Sequence, residues 1–375
     1  MEFALKALRT DNFRALCVEY GISTKTGYKW RERLLQQGVQ GLAERSRRPQ
    51  RHADQLAEEV IYRIVRLKLA HRHWGPRKLR ALYLRQHGLA ASESSFKRVL
   101  ARTGLTEPRR RRSPASAAGR LWSQRRGQAP NEVWTVDFKG WWHDPQGQRC
   151  EPLTVRDEYS RYVLAIQRLP QARTANVRQC FEGLFERHGL PTAIRSDNGS
   201  PFAQTQGLLG LSRLSAWWVA LGIDLERGRP GHPQDNGGHE RLHRDMDREL
   251  TLGQADQAAL DLWRQEFNYE RPHEALGLKC PGEVYQRSER FYTGTPADLV
   301  YQDMSSRRVM QRGSICWEGQ PLFITTSLAG WSVGLKANDQ GRVEVWFGRL
   351  LLGWIEPATR SFQRADIRPL EAGQP

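Results

Sequence analysis

The sequence has no long hydrophobic run. Nowhere in its 375 residues do about 18 apolar side chains follow one another, so no membrane-spanning helix is expected. Met1-Glu2-Phe3-Ala4-Leu5 lacks the basic-then-apolar pattern of a secretion signal. Cysteine is sparse: Cys17, Cys150, Cys180, Cys280 and Cys316 stand far apart and form no CxxC pair. That spacing argues against a disulfide framework or a structural zinc site, and for free thiols in a cytoplasmic protein. Acidic residues are scarce at the start. Residues 1–130 hold 10 of the 41 Asp and Glu but 29 of the 58 Lys and Arg, whereas residues 131–375 are almost neutral. The net charge of +17 therefore sits in the first third, for which an extended polyanion such as nucleic acid is the expected partner, with no membrane and no small-molecule substrate implied. Core-forming residues are not short: 39% of the chain is hydrophobic and 13 residues are tryptophan, which excludes a disordered chain.

Within the basic third, Asn12 to Tyr20 places Phe13, Leu16 and Cys17 at helical spacing, and Gly21 breaks the pattern. Ser23 or Thr24 caps a second helix that runs to about Leu35. Helix, glycine turn and helix predict a helix-turn-helix over 1–37, with Lys25, Lys29 and Arg33 on one face toward a DNA groove. A basic linker, 38–53, carries Arg45, Arg47 and Arg48 around Pro49. Residues 54–105 repeat the pattern: a helix over Asp54–Leu69, an aromatic turn at His73-Trp74-Gly75-Pro76, a helix ending at Gly88, and a capped helix over Ala91–Leu100. Its candidate DNA contacts are Arg77, Lys78, Lys97 and Arg98. His71 and His73 have no cysteine companions and read as turn residues. A second linker, 106–130, contains Arg109, Arg110, Arg111 and Arg112.

From 131 to 285 short apolar runs predict strands at Glu132–Phe138, Cys150–Val155, Tyr162–Ile166 and Thr192–Asp197, with a helix over Ala172–His188. This fits a mixed sheet covered by helices. Alternation puts Asp137 on the face opposite Val136 and Phe138. Asp197 lies at the end of a strand, where open sheets carry their sites, although Asp-Asn-Gly is also an ordinary turn. A further helix starts near Gly237 or Gly238, with Leu242, Met246 and Leu250 inward and Glu240, Arg244 and Arg248 on a second face. A metal-bound carboxylate beside phosphate-clamping arginines suits such a face, and so does a salt-bridged surface helix.

VWTVDFK at 133–139, RSDNGSPF at 195–202 and GHPQDNGGHERLHR at 231–244, in this order, resemble the DDE transposases of bacterial insertion sequences, in the retroviral-integrase-like superfamily. DEYSRYV at 157–163, FNYERPHEAL at 267–276, GISTKTGYKW at 21–30, SRRP at 46–49 and WGPRKLRALY at 74–83 are similar too, so the likeness covers nearly the whole chain. The resemblance implies a ribonuclease-H-like core and makes Asp137, Asp197 and Glu240 the catalytic, metal-binding triad. Asp197 and Glu240 have 42 residues between them, longer than the commonest spacing. Asp235, with 37, is the rival third acid, and the Glu-Arg-x-x-Arg helix context favours Glu240. Three converging carboxylates need cations, and oxygen donors suit Mg²⁺ or Mn²⁺, two ions per site. Asn198, Arg241, His243 and Arg244 are second-tier site residues. Arg271 and His273, in the Arg-Pro-His turn, are equally readable as structural.

After a connector at 286–304, regularly spaced short strands over 305–360 predict a small all-β barrel, followed by a tail at 361–375. The expected architecture is thus an all-α tandem helix-turn-helix, a central α/β ribonuclease-H-like mixed sheet and a C-terminal barrel. The expected function is cleavage of double-stranded DNA at terminal inverted repeats and 3′-OH strand transfer into target DNA, by a homodimer or higher oligomer in the bacterial cytoplasm, nucleoid-associated when bound. The competing readings are a non-catalytic, domesticated DNA-binding regulator and a nuclease without strand transfer.

Overall fold

A computed structural model describes residues 1–44, 55–106, 126–204, 207–228 and 237–365. Arg45, Arg47, Arg48, Arg109, Arg110, Arg111, Arg112 and Asp235 lie outside the described residues. The chain divides into two compact units, Met1–Val60 and Ile61–Pro375.

The first unit contains α1 (Glu2–Lys6), α2 (Phe13–Glu19) and α3 (Thr24–Gln37). The Asn12 side chain accepts from the Ala15 N–H at 3.0 Å, and Ser23 accepts from Thr26 at 3.2 Å, so both helices start where a polar side chain satisfies an orphan donor. A Cβ at Gly27 would meet Cys17 Sγ at 2.6 Å, which explains a glycine where α3 crosses α2. The sequence reading began its first helix at Asn12 and missed α1, whose Phe3 packs edge-on against Phe13 and Tyr20.

The second unit begins with α4 (Glu58–Ala70, whose first turn overlaps the unit boundary), α5 (Pro76–His87) and α6 (Glu93–Arg102). Ser92 caps α6, and Gly88 ends α5 in the left-handed region at φ 73°. Strands β1 (Val133–Phe138), β2 (Trp142–His143), β3 (Arg149–Cys150), β4 (Leu153–Asp157) and β5 (Val163–Gln167) follow, then α7 (Thr174–His188), β6 (Ala193–Ser196), α8 (Arg213–Ala220), β7 (Asp224–Arg227), α9 (Gly237–Glu249) and α10 (Gln257–Tyr269). The central sheet has the order β5-β4-β1-β6-β7. β1 pairs antiparallel with β4 and parallel with β6, giving the expected mixed sheet. Alternation separates its two faces. Trp134, Val136, Leu153 and Val155 share a buried core with Phe181, Phe185, Trp217 and Trp218 of α7 and α8. Val163 and Ile166 face Leu242 and Met246 of α9 and Leu260, Trp263 and Phe267 of α10.

The C-terminal strands correct the expected barrel. They are β8 (Ser305–Arg308), β9 (Ser314–Trp317), β10 (Gln320–Phe323), β11 (Ser332–Ala337), β12 (Val343–Phe347), β13 (Leu350–Glu356) and β14 (Ser361–Arg364). Five form a sheet ordered β14-β13-β12-β11-β8 that does not close, and β9 and β10 form a separate hairpin. The physical reason is what covers the apolar face. Val333, Leu335, Val345, Phe347 and Leu352 pack with Leu208, Leu211, Ala216, Val219 and Ala220, so the helical side of the core does the work that barrel closure would do.

Arg271 joins the helices on the other face. It is buried, donates to Asp245 at 3.0 Å and to Glu249, and lies over the rings of Trp263, Phe267 and Trp74. It is a structural tie between α9, α10 and the turn after α4. Arg271→Ala leaves two carboxylates without their cation, and a loss of about 3–5 kcal/mol in unfolding free energy is expected in urea melts. A loss below about 1 kcal/mol, the value of a surface pair, would contradict this role.

Candidate active site

Parallel pairing brings the first two acids together. The β1–β6 pairing runs from Val133 opposite Ala193 to Thr135 opposite Arg195; Asp137 lies two residues further along β1 and Asp197 just past the end of β6, near enough for its charge to act on Asp137. Asp137 is half-buried on the α9 face of the sheet. Burial, and then the charge of Asp197, push the Asp137 carboxyl up to about 6, against the opposing pull of the Phe138 backbone and Lys139. Asp197 Oδ1 accepts from the Gly199 N–H at 3.1 Å, which shapes the turn. Asn198 donates to the Gly228 carbonyl at 2.7 Å and so ties that turn to the end of β7. Arg227 stands behind the pair; burial lowers it to about 10, and the charge of Asp197 offsets part of that cost.

Glu240 sits exposed in the first turn of α9, with Arg241 and Arg244 also exposed. The helix is fixed tightly around it. A Cβ at Gly238 would fall 2.4 Å from Arg156 Nη1, so the start of α9 lies directly on that guanidinium and a larger residue would have to displace it. Lys139, just past β1, bonds Asp247 at 2.9 Å. The Thr154 hydroxyl donates to the Asp137 carbonyl at 2.9 Å and lies 3.1 Å from His239 Nδ1 and 2.8 Å from His243 Nε2. With its hydrogen given to Asp137, the hydroxyl accepts an N–H from each imidazole. Burial holds His239 well below the usual range, helped by Arg156 and His243, and brings His243 down to about 4. Both rings are therefore neutral near pH 7.

Among the described residues, one cluster could hold a metal ion: Asp137, His239 and His243 each bring a ligand atom within 4.8 Å of the others. Sequence reasoning put His243 in second place and missed His239. The signal was the i, i+4 pair His239-x-x-x-His243, hidden by attention to Glu240 between them. Two donor sets thus share Asp137: an all-oxygen set with Asp197, and a mixed set with two imidazoles.

The outlying candidates fall as follows. Lys25 and Lys29 are exposed on α3, and the cations of Lys29 and Arg33 flank the Trp30 ring at 5.0 and 5.1 Å. Arg77 bonds Glu93 at 3.1 Å and Glu274 at 3.8 Å. Lys78 is half-buried and held below its usual range by burial and by Arg271. Lys97 and Arg98 are exposed on α6. His71 bonds Glu266 at 3.0 Å and stacks on Trp74, a packing role.

Family profiles described as an integrase core domain match residues 127–233 and 221–281. Profiles described as a helix-turn-helix domain and a homeodomain-like domain match residues 1–50 and 26–100. An uncharacterized 31.7 kDa protein of insertion element IS407 from Burkholderia multivorans is 30% identical over 235 residues, which is 60% of this chain and 80% of that protein. The chain belongs to the DDE transposase and integrase family of the retroviral-integrase superfamily. An uncharacterized 39.2 kDa protein of insertion element IS476 from Xanthomonas euvesicatoria is 27% identical over 59% of this chain, and the match spans 63% of that relative. The HTLV-2 integrase catalytic core domain in complex with magnesium aligns at 16% identity over 43% of this chain and all of its own, with a TM-score of 0.31. No helix among the described residues is long and apolar enough to cross a membrane.

The raised Asp137 carboxyl makes a test independent of activity. Its ionised form is the disfavoured one, so metal-free stability falls as pH rises from about 4 through about 6. Asp137→Asn removes that cost. In EDTA at pH 7 the variant is expected to melt a few degrees above wild type, and Mg²⁺ to raise the wild-type melting temperature but not the variant's. A variant that melts lower in EDTA would contradict the like-charge argument.

Proposed function

We propose that this protein is a transposase that cuts DNA at the terminal inverted repeats of its element and joins the 3′-hydroxyl ends to target DNA. The observation that carries the reading is a pair of carboxylates, one on β1 and one just past the neighbouring parallel strand β6, the first raised by burial and then by the charge of the second. Such a pair fits a divalent cation, whose charge relieves the repulsion. Asp137, Asp197 and Glu240 hold Mg²⁺ or Mn²⁺, two ions per site. Bound there, the ions supply activation of the attacking hydroxyl and stabilisation of the leaving oxygen of the scissile phosphate.

The chain's own residues hold and orient. Glu240 projects to solvent from a helix fixed by Asp247, Asp245 and Glu249; it does not group with Asp137 and Asp197 within ligand distance in this structure, so the bound ions would draw it toward them. Arg241 and Arg244 grip phosphates beside it. Neutral His243 orients the helix through Thr154, and Asn198 fixes the turn behind Asp197. Lys25, Lys29 and Arg33, with Lys97 and Arg98, hold the element ends. Joining requires two ends in one complex, so the working form is at least a homodimer.

Purified full-length protein with Mg²⁺ and a duplex bearing the element's terminal repeat is expected to cleave it and join its 3′ ends. Asp137→Asn, Asp197→Asn and Glu240→Gln are each expected to bind the duplex and to lose the joined product by at least about a hundredfold. Binding without strand chemistry would overturn the proposal in favour of a regulator, and cleavage without joining in favour of a nuclease. Full activity in Glu240→Gln, with loss in Asp235→Asn, would move the third acid.

A further inference from the structure

A second charged site lies off the other end of the same two strands. Asp137 pairs with Thr154, and three residues back Trp134 pairs with Asp157. Beyond Asp157, and before β1, opens a cleft of about 510 Å³ lined by Arg126, Glu158, Tyr159, Arg161 and Lys279, with Leu276 among its walls. At a rise of about 3.3 Å per residue it stands more than about 10 Å from the Asp137 carboxylate.

Its charges are unbalanced. Glu158 is occupied: it accepts from Arg195 at 2.9 Å and from the Gly127 N–H at 2.9 Å. Among the described residues, no carboxylate lies within ion-pair distance of Arg126, Arg161 or Lys279. Arg161 is held there by a backbone with φ 62°, in the left-handed region that a non-glycine residue adopts at a cost. Burial and the neighbouring charge of Arg241 both disfavour its cation. Three cations that share a cleft and lack counter-charges suit a ligand bearing phosphate.

The cleft is also connected. α9 runs antiparallel to β4, with His243 beside Thr154, Gly238 on Arg156, and Arg241 near Arg161. Residue number along α9 therefore falls toward the cleft, and the exposed Arg244, Arg241 and Glu240 lead toward it in that order from the level of Asp137.

We propose that this cleft binds the phosphate backbone of DNA, and that a strand runs from it along the exposed face of α9, past Glu240, Arg241 and Arg244, toward Asp137. The inference rests on the reading of the protein as a DNA transposase and adds a footprint separate from the metal site. It assigns phosphate contacts to Arg126, Arg161 and Lys279, of which only Arg161 falls in a motif stretch, DEYSRYV at 157–163.

The test is fluorescence anisotropy of the full chain on a labelled duplex of arbitrary sequence, in EDTA, across a KCl titration. The double variant Arg126→Gln/Lys279→Gln removes two exposed cations, so its fold is retained. Its plot of log affinity against log salt is expected to be shallower by about 1.8, two contacts at about 0.9 each. Arg161→Gln, checked for a cooperative melt, is expected to subtract about 0.9. Lys336→Gln/Arg349→Gln, an equal charge loss on the C-terminal sheet, is expected to leave the slope unchanged. An unchanged slope in the cleft variants, or an equal fall in the control, would overturn this inference alone. A wild-type chain that does not bind the duplex at low salt would overturn the DNA reading and this inference with it.

Discussion

Two carboxylates at the ends of neighbouring parallel strands repel each other, and burial strengthens the repulsion by removing the water that would screen it. The fold accepts this cost at Asp137 and Asp197. The β1–β6 pairing carries both toward the same edge of the sheet, and the hydrophobic cores on both faces keep the strands from sliding apart. A slip of one residue would turn Asp137 into the Trp134–Phe185 core, where no charge is tolerated. The site is therefore a consequence of register, and register is a consequence of alternating apolar side chains.

Around this pair the attachments of α9 are redundant. Asp247 is tied to Lys139, Asp245 and Glu249 to Arg271, and His239 and His243 meet at the Thr154 hydroxyl. Polar ties of this kind fix rotation about the helix axis, which apolar packing of Leu242 and Met246 leaves looser. The consequence is that two adjacent residues have opposite fates. His239 is fully buried and Glu240 is exposed, because successive residues turn about 100° around a helix.

What the sequence made legible was local or strictly periodic. Asn12, Ser23 and Ser92 announce helix starts because a cap is a contact between residues three apart. The strands carrying Asp137 and Asp197 were readable from short apolar runs, and the motif order identified the family. The missing parts depend on distant partners. His239 gains its role from Thr154, 85 positions away. The C-terminal strands were recognised up to β13, but β14 (Ser361–Arg364) falls in the expected tail, and closure was misread because the face that a barrel would seal is covered by Val219 and Ala220 of α8. The short α1 has a single turn and a half, too little for periodicity to register, and it exists through the contacts of Phe3.

The central claim is that the aspartate pair, rather than the Asp137–His239–His243 cluster, holds the divalent ion. Both sets share Asp137, and they differ in chemistry: carboxylate oxygens suit Mg²⁺ and Mn²⁺, whereas neutral imidazoles favour softer ions. Diffraction from crystals grown with Mn²⁺, recorded for its anomalous signal, separates them. The account predicts a peak between Asp137 and Asp197, with Thr154 still bonded to both imidazoles. A peak coordinated by His239 and His243, with Asp197 unbound, would contradict it.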